Sequence, residues 1–338
     1  MWNEDKLNEL LTVPSDALCE DMAKINGDII VLGATGKMGP SLCLLARNAI
    51  EKAGLSKKVI AVSRFSDPIA AKLLRDEGID TISCDMLELS QLRLLPDVPN
   101  VIFMAGRKFG TSGNEYLTWA MNATLPAYVA EKYKNSRIVA FSSGNVYPIV
   151  PLSTGGCTEE SPTGAIGEYT QSVLARERVF EYASAKYGTK VLLFRLNFAV
   201  DLRYGVLYDM ANKILTGEPI SLRTPCLNCI WQGSANEMAI RSLLHAGAPA
   251  VKLNVTGSET ISIKTAATRL GRYLGREPIF EGEPGNDAYL NDASLAMELF
   301  GYPSVPIHKL IRWQAEYILD GGRTLDKPTH FEERKGSY

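Results

Sequence analysis

Three glycines in Gly33-Ala-Thr-Gly36-Lys-Met-Gly39 follow the apolar run Ile29-Ile-Val-Leu32 and precede a helical pattern from Pro40 to Lys52. Binding a pyrophosphate requires a tight turn, backbone close enough to touch the anion, and helix amides facing it. The spacing is GxxGxxG rather than GxGxxG, so the position between strand and helix carries the assignment. Gly33, Thr35, Gly36, Lys37, Met38 and Gly39 are therefore candidate nucleotide-binding residues. At the end of the next strand pattern, Val62 is followed by Ser63 and Arg64. A hydroxyl beside a guanidinium suits a 2′-phosphate, which favours NADP; NAD stays open, with Asp67 as the alternative ribose acid. Asp85, with Met86 beside it, is a candidate acceptor for the adenine amino group, or a helix cap.

Composition narrows the chemistry further. The chain has 338 residues, 46% apolar and 22% charged, with a net charge of −2. That describes an ordinary globular protein of one large domain or two unequal ones, with no basic excess to attract nucleic acid or an anionic membrane. The three histidines, His245, His308 and His330, have no second ligand at metal spacing, so no metal and no histidine-based chemistry is expected. Six scattered cysteines are too few for a disulfide framework, and Cys226-x-x-Cys229 lacks the partners of a metal site. An N-terminus carrying Glu4, Asp5 and Glu9 does not read as a secretory signal, and no run of about 20 apolar residues spans a membrane. The cytoplasm is the expected compartment.

The elements that must position these residues follow from periodicity. Strand patterns at 58–62, 79–83, 101–105, 137–142 and 190–195 alternate with helical patterns at 68–77, 115–134 and 168–186. Apolar strands alternating with helices predict an α/β fold, a doubly wound parallel sheet covered on both faces. Residues 1–27 form a helical extension before it. The rhythm fails after Asn197; a helix at 236–246 and a strand near 252–255 return to the sheet, while 200–229 and 257–320 make a smaller lobe. The assigned dinucleotide domain is thus 28–199 plus 230–256, and 321–338 reads as a mobile tail.

The ordered motifs resemble the extended short-chain dehydrogenase/reductases, the NAD-dependent epimerase/dehydratase family. The marks are GATGKMG at 33–39, Asp85, FMAGRK at 103–108, Asn122 in MNAT, FSSGNVY at 141–147, Tyr169, RLN at 195–197, GEPI at 217–220, and LNDASLAMELFGYPSV at 290–305. The resemblance spans about residues 28 to 320 and implies a Rossmann domain with a smaller C-terminal substrate-binding lobe. It also implies that the loop after the fourth strand, with Ala105, Gly106 and Lys108, runs along the cofactor. Catalytic roles fall to Ser143 and Tyr169, with Asn122 beside them. The tyrosine exchanges a proton with a substrate oxygen that the serine orients, while a hydride moves to or from the nicotinamide.

One residue departs from the pattern. The family's YxxxK lysine is Val173 in Tyr169-Thr-Gln-Ser-Val173. A phenol titrates near pH 10, so base work at neutral pH needs a nearby cation. Arg176 lies seven residues on, about 10 Å along the axis, and reaches back with difficulty; Lys108 and Arg107 are better placed. Two functions compete: an NADP-dependent oxidoreductase or epimerase working without that lysine, and a catalytically impaired NADP-binding sensor whose N-terminal helices meet a partner. The family's diphosphate-binding arginine is not evident after Thr224, which favours a free sugar, sugar acid or other polyol as substrate. Asn145, Asn197, Arg203, Trp231 and Gln232 are the candidate substrate contacts. The resemblance also makes a homodimer through the 115–134 and 168–186 helices an expectation.

Overall fold

The structure, a computed structural model, describes residues 1–108, 110–325 and 329–336. Among them, β1 (Ile29–Leu32), β2 (Val59–Ser63), β3 (Asp80–Ser83), β4 (Asn100–Phe103), β5 (Arg137–Ser143), β6 (Lys190–Leu196) and β7 (Val251–Val255) form one sheet in the order β7-β6-β5-β4-β1-β2-β3. Every pairing is parallel. The order reverses between β1 and β4, and a crevice opens at the carboxyl ends of the strands there, where ligands bind in doubly wound folds.

Two cores sandwich the sheet because alternate strand residues face opposite sides. Ile29, Val31, Ile102 and Val139 face one core; Ile30, Leu32, Val101 and Ile138 face the other. β1 and β4 are buried on both faces, which explains their unbroken apolar runs. A third core belongs to the lobe, where helices Val206–Thr216, Ile263–Leu274 and Ile307–Leu319 pack together. No helix among the described residues is long and apolar enough to cross a membrane.

Both chain ends differ from the sequence reading. Leu7 and Leu11 of the first helix, Glu4–Thr12, enter the lobe core, whereas Leu18 and Met22 of the second, Asp16–Lys24, enter the sheet core. The extension therefore braces the lobe against the sheet with its apolar faces turned inward, leaving charged faces where a partner surface was expected. At the other end, residues 329–336 are packed rather than a mobile tail: Phe331 is buried in the lobe core and Glu332 pairs with Lys213 at 2.6 Å.

The predicted helix over 115–134 is interrupted. Helices Glu115–Trp119 and Leu125–Lys132 are joined by a π-helical turn, Ala120–Thr124. Pro126 has no amide to give the carbonyl of Asn122, four residues back, so the ladder widens there. Asn122 is fully buried at this turn and saturated. Its Oδ1 accepts from the Arg107 amide (2.9 Å) and Arg176 Nη2 (2.7 Å); its Nδ2 donates to the Arg107 carbonyl (2.9 Å) and Ser172 Oγ (3.0 Å). One side chain thus ties the loop after β4 to the long helix Gly167–Tyr187. Truncation strands several buried polar groups, each costing about 1–3 kcal/mol. Asn122→Ala should lower the unfolding free energy from urea titration by at least that amount; an unchanged unfolding free energy would show that the joint carries no load.

Candidate active site

The glycine turn at the end of β1 is shaped by close approach. Gly33 has φ +94°, and a Cβ there would lie 2.6 Å from the Ala105 amide nitrogen at the end of β4; one on Gly39 would run into the Ala34 carbonyl. The Gly33 and Ala34 amides both donate to Val62 O, at 2.9 and 3.1 Å, so the turn is anchored to β2. The helix Gly39–Lys52 starts at this turn with no side-chain cap on its amides. An uncapped helix start behind a bare-backbone turn fits a dinucleotide diphosphate.

Around it, Thr35 Oγ1 and Ser63 Oγ share a hydrogen bond of 2.5 Å, and Arg64 is exposed beside them. Asp67 is engaged as the cap of helix Pro68–Asp76, accepting from the Ile69 amide at 2.9 Å. Asp85 holds a turn, its Oδ1 accepting from the Leu87 amide at 3.1 Å, and the cap position of the next helix, Leu89–Leu94, is Glu88 instead. Met86 and Ala105 are buried in the sheet core, and Gly106 is bare because a Cβ would lie 2.6 Å from Arg176 Nη2.

A cavity of about 270 Å³ continues from the turn to the carboxyl end of β5. Gly33, Gly36, Lys37 and Met38 form one wall, while Ser143, Asn145, Tyr169 and Asn197 form another, with Lys108 and Tyr204 between them. Tyr169 lies in the first turn of its helix, against a small cluster of Val146, Tyr147, Cys157 and Val173. Burial pushes its phenol up, and the Arg176 guanidinium and a hydrogen bond with Ser143 pull it back. Val173 is buried in that cluster, so the usual lysine position is filled by packing.

The cation behind the phenol is Arg176, which the sequence reading had set aside. It turns inward, donating to Phe141 O and Asn122 Oδ1, each at 2.7 Å, and desolvation lowers it to about 10. Arg107 instead turns to the Gly110 carbonyl at 2.9 Å. Lys108 Nζ lies 5.9 Å from the Tyr169 ring centroid and donates to Thr329 O at 3.3 Å; burial brings it to about 8. Lys37 Nζ donates to Ala199 O at 2.8 Å over the Tyr204 ring, and burial brings it to about 7, opposed by Asp201.

Of the five candidate substrate contacts, Asn145 and Asn197 line the cavity. The other three do not. Arg203 is held by Asp201 (2.7 Å) and Glu4 (3.1 Å), Trp231 packs edge-on to Trp313 at 5.7 Å, and Gln232 Nε2 donates to Ser41 Oγ at 3.1 Å. An aspartate two residues before Arg203 was the signal for that local pairing. Sequence reasoning missed Tyr204 and the segment carrying Thr329, His330, Phe331 and Glu333, which also lines the cavity. No periodicity or motif marks either. Among the described residues no group of three or more His, Cys, Asp or Glu is placed to hold a metal ion; Cys229 is buried and its thiol raised to about 12.

Comparison with known proteins adds the relationship. The chain is similar in fold to UDP-glucuronic acid 4-epimerase from Bacillus cereus, solved in complex with NAD (TM-score 0.70, 18% identity, 86% of this chain and 96% of that one). It is similar as well to UDP-glucose 4-epimerase of Thermus thermophilus, solved with NAD (TM-score 0.67, 17% identity, 86% and 99%). A third is UDP-glucose 4-epimerase from Thermotoga maritima, solved with UDP-glucose (TM-score 0.68, 16% identity, 87% and 99%). No curated protein matches in sequence. The family model described as NAD dependent epimerase/dehydratase matches residues 29–247, across the glycine turn, the Ser143–Tyr169 pair and five of the sheet's crossovers. The chain belongs to the NAD dependent epimerase/dehydratase family.

Proposed function

We propose that the protein is a nicotinamide-dependent oxidoreductase or epimerase acting on a sugar, sugar acid or related polyol, with NADP as its dinucleotide. The observation that carries this reading is the Tyr169 phenol, hydrogen-bonded with Ser143, in a cavity continuous with the Gly33–Gly39 turn and backed by the buried charge of Arg176. Gly33, Gly36 and Gly39 hold the diphosphate, Lys37 and Lys108 supply positive charge along it, and Ser63 with Arg64 takes the 2′-phosphate. When bound, the nicotinamide accepts or returns the hydride.

The protein's own share of the chemistry is proton transfer. Ser143 orients the substrate oxygen and Tyr169 exchanges a proton with it. Burial keeps the phenol protonated at neutral pH, which suits Tyr169 to donating toward a carbonyl oxygen. The phenolate left behind faces Arg176, whose charge is poorly solvated and therefore acts strongly at short range. Arg176 thus substitutes for the cation that Val173 cannot provide. The absence of an acid at the end of β2, with Asp67 engaged as a cap, supports NADP. Exposed Tyr116 and Tyr182 on the 115–134 and 167–187 helices support a homodimer through that face.

Three outcomes test the reading. Tyr169→Phe should lower turnover on a polyol panel by about 10²–10⁴-fold and leave dinucleotide affinity unchanged; equal turnover would remove Tyr169 from the chemistry. Arg64→Ala should weaken NADP about tenfold or more and spare NAD, measured by titration calorimetry. Equal losses for both cofactors would discard the 2′-phosphate assignment. In the free protein Lys37 gives up its proton near pH 7. An anionic dinucleotide favours the protonated amine, so affinity should be flat below that pH and fall as pH rises above it. The Lys37→Met variant should lose the fall that begins near pH 7 and keep a fall near pH 8, where Lys108 gives up its proton.

A further inference from the structure

The C-terminal segment lines the cavity. Thr329, His330, Phe331 and Glu333 share it with Gly33, Gly36, Lys37 and Met38 of the glycine turn. The segment is pinned at both ends and in the middle. The Thr329 amide donates to Asp209 Oδ2 at 2.8 Å, and its hydroxyl donates to the same oxygen. Phe331 is 5% exposed in the lobe core. Glu332 bridges Lys213 (2.6 Å) and the Ser221 amide (3.1 Å), and Arg334 bonds Asp287 Oδ1 at 2.6 Å. Further on, Gly336, at φ +80°, lies against Ile166 and Gly167, the residues that lead into the Tyr169 helix.

Two features tie this segment to the chemistry rather than to the lobe alone. Lys108, beside the Tyr169 ring, donates to the Thr329 carbonyl at 3.3 Å. His330 holds φ +56°, a left-handed conformation that non-glycine residues adopt at a cost and that collects at functional sites. With the segment in place the cavity is about 270 Å³, below the roughly 300–1,000 Å³ of small-ligand sites. That space must take the nicotinamide end of the cofactor as well. The segment therefore takes up part of the space that a substrate beside the nicotinamide would need.

We infer that residues 329–333 are a built-in wall of the substrate site that sets substrate size, admitting a single sugar or polyol and excluding a sugar carried on a nucleoside diphosphate. The inference rests on the proposed function and specifies its substrate class. The wall is supplied by residues 329–333 and held by Asp209, Lys213 and Ser221 of the lobe, so lobe and sheet domain both contribute to the site.

The test is calorimetric titration of UDP-glucose into the NADP-loaded full-length protein and into the double variant Thr329→Ala/Glu332→Ala, which unpins the segment from Asp209, Lys213 and Ser221. The full-length protein should not bind UDP-glucose, and the double variant should bind it at least about tenfold more tightly with NADP affinity unchanged. A chain ending at Leu325 is the second variant, with circular dichroism and NADP binding reporting that it is folded. Hydrogen exchange of the amides at 329–336 is the measurement that needs no variant: they should be protected in the NADP-loaded protein. UDP-glucose saturating the full-length protein, exclusion persisting in folded variants, or unprotected amides would each overturn the wall. Failure of the full-length protein to bind any nicotinamide dinucleotide would instead overturn the proposed function.

Discussion

The guanidinium of Arg176 is the group on which the rest of the site depends. It is buried and, among the described residues, has no carboxylate in hydrogen-bonding contact, being held by the Phe141 carbonyl of β5 and by Asn122 Oδ1. A buried charge satisfied only by neutral oxygens is costly, and its desolvation shows in a value lowered to about 10. The same desolvation makes it a strong stabiliser of any negative charge that forms next to it. The phenol of Tyr169 is the group whose ionised form it favours.

From that cation the architecture can be followed outward. Asn122 places Arg176 only because the π-helical turn at Ala120–Thr124 points its amide between the β4 loop and the long helix. The β4 loop comes close because Gly33 and Gly106 carry no side chains where Ala105 and Arg176 crowd them. The glycine turn, the loop after β4 and the helix that carries Tyr169 are therefore one packed unit. A buried pair elsewhere in the domain works differently: Glu177 takes Arg195 in a two-pronged contact at 2.6–2.8 Å, with Ser142 on the same carboxylate, and fixes the helix against β5 and β6. One network pairs its cation with a carboxylate, whereas the other holds its cation with neutral oxygens.

Loss of the usual lysine reads differently in this setting. Val173 completes a hydrophobic cluster with Val146, Tyr147 and Cys157 beneath Tyr169. A lysine there would have to leave that cluster or carry charge into it. Positive charge is delivered to the cavity instead from the glycine turn, the β4 loop and the helix interior, through Lys37, Lys108 and Arg176. All three are desolvated, and all have values below their ordinary ones.

The amino-acid sequence by itself determined the parallel sheet, because unbroken apolar runs such as Ile29-Ile-Val-Leu32 and glycines at a strand end are local signals that survive any packing. It also located the turn, Ser143, Tyr169 and the vacant lysine position. It misplaced the broken helix at 115–134, where one proline changes a hydrogen bond without disturbing the apolar period, and it favoured Lys108 over Arg176 because distance along a helix axis says nothing about a side chain drawn sideways. Arg203 and Trp231 looked available because their partners, Glu4 and Trp313, are far away in sequence. Tertiary structure alone decided that Arg176 acts on the Tyr169 phenol and that Thr329, His330, Phe331 and Glu333 line the cavity. Both depend on groups 35 to more than 100 residues apart meeting in space, as Arg176 meets Phe141 and Thr329 meets Asp209. Local patterns encode elements, whereas convergence of side chains is set by how those elements pack.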